Sequence, residues 1–301
     1  MEQFFGNKIY CGTYSFMNMI QRRDIDMDLF EISTSVPFGI VHKRYPKYDH
    51  LLTPFCNPNK GLDGAIECWG YQLWKEDADS PDALIMIMEQ SMLPGDRVML
   101  GPVDMGHLFY QPLVNLYRKL DHFIVVSFLE GKRYSITDSE GIIENVCVSE
   151  QLRKSLSVAD IPEAEGRYTI RRAKKVREVN EETIVRYSLG RARTNLASAL
   201  KDADGINAFE KCAGYLENAP CSQWGIALLY DLSYLMQRKL LHSRLLEYTK
   251  KYGLISDACY LETSQIIERQ NYRLGEIFAD IKRENCYSMQ DFIEMDALER
   301  A

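Results

Sequence analysis

Residues 121–141 read DHFIVVSFLEGKRYSITDSEG. The β-branched and aromatic residues from His122 to Leu129 favour an extended chain. Glu130-Gly131 or Gly131-Lys132 offers a tight turn, and residues 133–137 return as a second strand. Closing that hairpin brings His122 and Asp138 to its open end. A carboxylate that fixes the tautomer of an imidazole prepares the other ring nitrogen to take a proton from a nucleophile. Taken singly, His122 also reads as a hydrogen-bonded residue at the edge of a core and Asp138 as a turn former; taken together they read as a base and its orienter.

The nucleophile this pair is expected to serve is Cys11, in YCGTYSFMNMI at residues 10–20. The apolar positions after it suit a helix packed into a core, which places Cys11 at the helix N-terminus. Backbone N–H groups and the helix dipole stabilise a thiolate there, and cysteine pKa values in such settings fall to roughly 3.5–7.5. Gly12 leaves room for a substrate beside the sulfur. The plain alternative is a core cysteine, since free cysteine is among the most buried residue types.

CGTYS followed by a helix, the DHFIVV strand and the ITDSEG turn resemble the papain-like fold. The likeness is to the bacteriocin-leader cysteine peptidases and to the N-terminal domain of the butirosin biosynthesis protein H group, which are acyltransferases. It covers residues 1–150 at the level of motifs. It implies Cys11 as nucleophile, His122 as general base and acid, and Asp138 as orienter. It also implies a biosynthetic setting of the antibiotic or nonribosomal-peptide kind, with acyl thioesters on an acyl or peptidyl carrier protein as donors and a small-molecule or peptide acceptor. One position departs from the pattern: the leader peptidases carry an oxyanion-hole glutamine six residues before the cysteine, where this chain has Phe5. Gln3 and Asn7 are the nearby amides, and the Cys11 backbone N–H is a further donor.

At 301 residues the chain is long enough for two domains, and its 46% apolar and 26% charged content is that of a globular protein. The net charge of −7 opposes a nucleic-acid footprint. No run approaches the roughly 18–20 apolar residues that span a bilayer, and the N-terminus lacks a basic region followed by an apolar one, so a cytoplasmic chain without membrane contact is expected. The eight cysteines, at 11, 56, 68, 147, 212, 221, 259 and 286, show no CxxC pairing. That spacing opposes a zinc ribbon, and all but Cys11 are read as packed free thiols. No metal or cofactor is expected, and His42, His50 and Cys56 are read as loop residues.

The fold class expected is α+β, a papain-like domain at 1–150 with an antiparallel sheet and nucleophile helix, followed by an α-helical domain at 180–301. The first half is read as strand-like runs and turns: a loop at PFCNPNKGLDG (54–64), the apolar segment ALIMIMEQ (83–90) and the run RVMLGPVDMG (97–106). From residue 180, four long segments carry apolar residues at helical spacing, with breaks at Gly205, Pro220 and Gly253. Residues 151–179 are read as a linker or crossover. The cluster RRAKKVR (171–177) is a solvated charge run or a docking patch for an acidic carrier domain. Asp104, His107 and Tyr110, in LGPVDMGHLFYQP, are candidate substrate contacts on a loop. His242 is assigned to a polar helix face or end. Two other functions remain open: a peptidase using the same triad, and a non-catalytic scaffold that keeps the fold with a degenerate site.

Overall fold

The computed structural model describes residues 10–22, 24–42, 52–111, 118–217, 221–284 and 288–301. In chain order its elements begin with α1 (Cys11–Ile20), α2 (Met27–Ser33), β1 (Ile40–His42), β2 (Leu52–Pro54), α3 (Pro58–Cys68), β3 (Tyr71–Ala78), α4 (Pro81–Ser91) and β4 (Arg97–Asp104). They continue with β5 (Asp121–Leu129), β6 (Arg133–Asp138), β7 (Ile142–Val148), α5 (Ser149–Ser155) and β8 (Tyr168–Lys175). The remaining helices are α6 (Glu181–Ala199), α7 (Ala208–Leu216), α8 (Cys221–Lys251), α9 (Asp257–Glu284) and α10 (Met289–Arg300). The protein is thus mixed α+β, with antiparallel sheets and a helical C-terminal region.

The chain divides into two compact units. The first comprises Met1–Ile25 and Trp69–Glu178. Its sheet has six strands in the order β3-β8-β4-β5-β6-β7, every neighbouring pair antiparallel. The 121–141 hairpin forms, with Leu129 opposite Arg133. Its loop is Glu130–Lys132, three residues rather than two, because both Gly131 and Lys132 take positive φ (70° and 58°). One face of the sheet buries Leu84, Ile85 and Met88 of α4 against Val98, Leu100, Ile124, Val126, Ile136 and Ile170.

ALIMIMEQ is helical, contrary to the strand-like reading. Ser80 caps it, accepting from Ala83 N at 3.1 Å, Pro81 stands at the first turn and Asp82 faces the N-terminal dipole. PFCNPNKGLDG is likewise no loop: Asn57 Oδ1 accepts from Asn59 N (2.9 Å) and Lys60 N (3.3 Å), so Asn57-Pro58 opens α3. The expected linker at 151–179 contains α5 and β8, and β8 pairs along its length with β3 and at Leu100↔Ile170 with β4. RRAKKVR accordingly lies in and just after a strand. Arg171 is fully buried, donating to Gly101 O at 2.7 Å with its guanidinium 5.6 Å from the Phe123 ring centre, and Lys175 donates to Trp69 O.

The second unit comprises Asp26–Cys68 and Val179–Ala301. Residues 26–68 therefore part company with the rest of 1–150, because Ile40 and Leu52 of the β1–β2 pair share a core with Phe209, Leu228, Leu232, Leu274 and Phe292. Asn180 caps α6 by accepting from Thr183 N. The four expected helical segments are present, and α10 is a fifth that periodicity did not reveal. The turn before β1 is gripped from α8: Arg238 donates to Pro37 O (3.0 Å), Val36 O (3.0 Å) and Gly39 O (2.7 Å). No helix among the described residues is long and apolar enough to cross a membrane.

Candidate active site

Cys11 is the first residue of α1, whose next eight residues, Gly12 to Met19, are all buried. That apolar helix lies along β5 in a simple register. The Cys11 Sγ is 3.9 Å from Asp121 O, and Ser15 Oγ donates to Phe123 O at 2.8 Å. Four helical residues advance about 6 Å and two strand residues about 6.6 Å, so one contact pair fits the other. Gly12 is buried in the first turn.

His122 reaches its position through an irregularity in the neighbouring strand. The β4–β5 register shifts between Leu100 and Val103, after which Val103 faces His122 and Asp104 faces Asp121. Gly101 sits in that bulge with φ +148°, and a Cβ there would lie 2.7 Å from His122 O. Only glycine fits, a requirement the sequence reading did not detect.

His122 is 2% exposed, and its Nε2 lies 2.7 Å from Asp138 Oδ1. Asp138 is fully buried. Its Oδ1 also accepts from Glu140 N at 3.0 Å, and its Oδ2 accepts from the Tyr110 hydroxyl at 2.6 Å. The carboxylate thus makes the local turn and holds the histidine at once. With Nε2–H given to Asp138, Nδ1 is the ring nitrogen left free, and the Cys11 thiol, whose Sγ lies 3.9 Å from Asp121 O next to His122, is near enough for its charge to act on the ring.

Burial tends to strip the proton from His122, but the Cys11 sulfur and the Asp138 carboxylate outweigh it and hold the imidazole well above its ordinary value. Burial likewise works to raise Asp138, yet His122, Glu140 N–H and Tyr110 keep it below the usual carboxylate range. Cys11 departs from expectation. The residue is partly exposed, but its sulfur is packed deeply enough that burial raises the thiol pKa more than His122 and the Phe123 backbone lower it. The depressed value expected of a helix N-terminus is not found. Because the thiol and the imidazole each shift the other's titration, their protons are to be assigned to the pair. A thiol beside a carboxylate-held imidazole can form a thiolate–imidazolium pair and attack a carbonyl carbon.

The other candidate residues sort differently. Asp104 is buried, its Oδ1 accepting from Gly106 N (2.9 Å) and Lys119 N (3.1 Å), which fastens its loop. His107 stands 3.8 Å from Asp104 Oδ2 with its side chain 36% exposed. Tyr110 is engaged by Asp138, a partnership that spacing alone could not show. Gln3, Phe5 and Asn7 lie outside the described residues, as does His50. His42 faces the Tyr215 ring, and among the described residues no group of three or more His, Cys, Asp and Glu is placed to hold a metal ion. Cys147 and Cys212 are buried free thiols, while Cys259 is exposed. His242 belongs to no polar helix face or end: it is half-buried within α8, stacks on Phe38 at 4.7 Å and bonds Pro37 O at 2.8 Å.

No protein-family model matches the chain. Over 171 residues it is 25% identical to a Bacillus subtilis (strain 168) protein described as "Uncharacterized protein YobF", an alignment covering 55% of this chain and 54% of that protein. The chain therefore spans about half the length of the curated relative it matches.

Proposed function

We propose that this chain is a thiol-dependent acyl-transfer enzyme of papain-like fold. The observation that carries the reading is the 2.7 Å His122–Asp138 contact, with the Cys11 sulfur at the start of α1 lying 3.9 Å from the carbonyl of Asp121, the residue before His122. Cys11 Sγ attacks the carbonyl carbon of an acyl thioester as His122 Nδ1 takes the thiol proton. The tetrahedral intermediate collapses, the C–S bond of the donor breaks, and His122 returns the proton to the departing thiolate. An amine or water then attacks the Cys11 thioester, giving its proton to His122 and restoring the thiol. Asp138 holds the ring in the required tautomer and stabilises it while charged. The Cys11 backbone N–H is the oxyanion donor this reading names. A carrier-borne acyl group is the donor class, following the resemblance of the CGTYS, DHFIVV and ITDSEG segments.

The raised Cys11 thiol favours a second reading, a binding or scaffold protein in which the same three residues no longer turn over. Incubation with an acyl-pantetheine thioester separates the two. The acyl-enzyme reading expects a mass increase equal to the acyl group, located on Cys11 and absent from Cys11→Ala. An adduct of unchanged yield in Cys11→Ala, or none in the native protein, overturns it.

A further inference from the structure

We propose that Tyr110 is a positioning residue for the Cys11 chemistry, acting through Asp138 by holding the carboxylate oxygen that His122 leaves free. The inference rests on the reading of Cys11 as nucleophile. Tyr110 stands in the segment 105–111 that follows β4, and that segment is fixed at several points. Met105 N bonds Leu120 O (2.9 Å), Leu108 N bonds Met105 O (3.2 Å) and Gln111 N bonds Leu108 O (2.9 Å). Asp104 fastens it from beneath through Gly106 N and Lys119 N. The Tyr110 ring packs edge-on against Phe109, with centres 5.2 Å apart, and both rings lie against the sheet core.

From this segment one hydroxyl reaches Asp138 Oδ2 at 2.6 Å. A carboxylate bonded through a single oxygen can pivot about its side-chain axis. Bonded at Oδ1 by His122 and Glu140 N–H, and at Oδ2 by Tyr110, it has one plane left. That plane sets the direction of the imidazole and so the line from Nδ1 to the Cys11 sulfur. Burial and the adjacent Asp138 charge keep the phenol protonated well past its ordinary range, so the donor persists wherever the thiol titrates. A hydroxyl whose proton is committed to Asp138 has only its acceptor lone pairs left for any other partner.

Tyr110→Phe keeps the ring and removes only the donor. Losing one hydrogen bond to a charged group is expected to slow alkylation of Cys11 by iodoacetamide at pH 7 by about 10-fold and to move its pH profile upward, as the imidazolium that supports the thiolate loses its fixed partner. Histidine-ring NMR is expected to show a weakened Nε2–H tautomer at His122. In an Asp138→Asn background the same change is expected to add nothing, because its route of action is already gone. A Tyr110→Phe profile that stays in place or moves down, while His122→Ala shifts it, overturns the positioning role alone. So does an effect that adds fully to Asp138→Asn. A profile unmoved by His122→Ala as well overturns the nucleophile reading beneath it.

Discussion

His122 in the sheet unit and His242 in the helical unit are both drawn toward the neutral form by burial, and they end on opposite sides of the ordinary histidine value. His122 faces a carboxylate and a thiol, and is held well above it. His242 faces the Pro37 carbonyl, with Lys239 and Arg238 as its charged neighbours, and is pushed well below it by burial and then by those cations. Desolvation is common to both; the sign is set by the charge of the partner. In one unit the buried histidine faces groups that favour its charged form, in the other its charged neighbours disfavour it.

The helical arrangement is structural, and its centre is Arg238. The guanidinium is 1% exposed and bonds three backbone carbonyls, and burial lowers its pKa to about 10. Lys239 beside it pairs with Glu299 and is itself lowered by burial. Arg238→Met removes three charge-assisted bonds. Pro37 O keeps His242 and Gly39 O keeps the Phe55 N–H, so the loss is less than three independent bonds and comes to about 3 kcal/mol. Urea unfolding followed by helical circular dichroism measures it. A change below 1 kcal/mol would make the 36–39 turn self-sufficient and the comparison false on this side.

Asp138→Asn breaks the other side: an amide is nearly the shape of a carboxylate and its oxygen can still accept from Glu140 N–H, but only one of the two oxygens remains. The charge that opposes desolvation of His122 is lost, and the ring can turn its unprotonated nitrogen toward the amide. On the proposed reading, acylation of Cys11 is expected to fall about 100-fold, within the range general-base catalysis contributes. Urea midpoints of native and variant proteins establish that the fold is kept, and an acylation rate within threefold of the native one would remove Asp138 from the chemistry.

How much of this could be seen in the sequence depends on how local the determinants are. The 121–141 hairpin carries its alternation and its turn in one stretch, so its existence, and the meeting of His122 with Asp138, were readable. Cys11 at the start of a helix was readable for the same reason. The two misread helices were local as well: Ser80-Pro81-Asp82 and Asn57-Pro58 are caps with a proline in the first turn, signals outweighed by a short apolar run in one case and by Asn, Pro and Gly in the other. β8 was not readable, because its charged residues become a strand only by pairing with β3 and β4. Gly101, set by a bulge against His122 O, and Tyr110, set by a loop brought to Asp138, depend on contacts between elements that no spacing encodes. The raised Cys11 thiol has the same origin: helix position is local, whereas burial of the sulfur is tertiary.

The smallest effect tests the sign rule itself. For His242 the folded value lies below the unfolded one, near 6.5, so between the two the unfolded chain holds a proton that the folded chain does not. Stability therefore rises with pH across that interval: the contribution is complete above about pH 6.5 and is lost as the pH falls. At 1.36 kcal/mol per unit, the loss by pH 5 is at most about 2 kcal/mol. His242→Gln retains an N–H for Pro37 O and has nothing to titrate, so its urea midpoint is expected to fall less than that of the native protein between pH 7 and pH 5. Equal slopes would mean that His242 keeps its proton on folding despite Lys239 and Arg238. His122 runs the other way: its folded value lies above the unfolded one, so its contribution is complete below about pH 6.5 and lost as the pH rises through the folded value. The two histidines therefore contribute with opposite sign across pH 6.5, and a single pH series on His242→Gln and His122→Gln separates their shares.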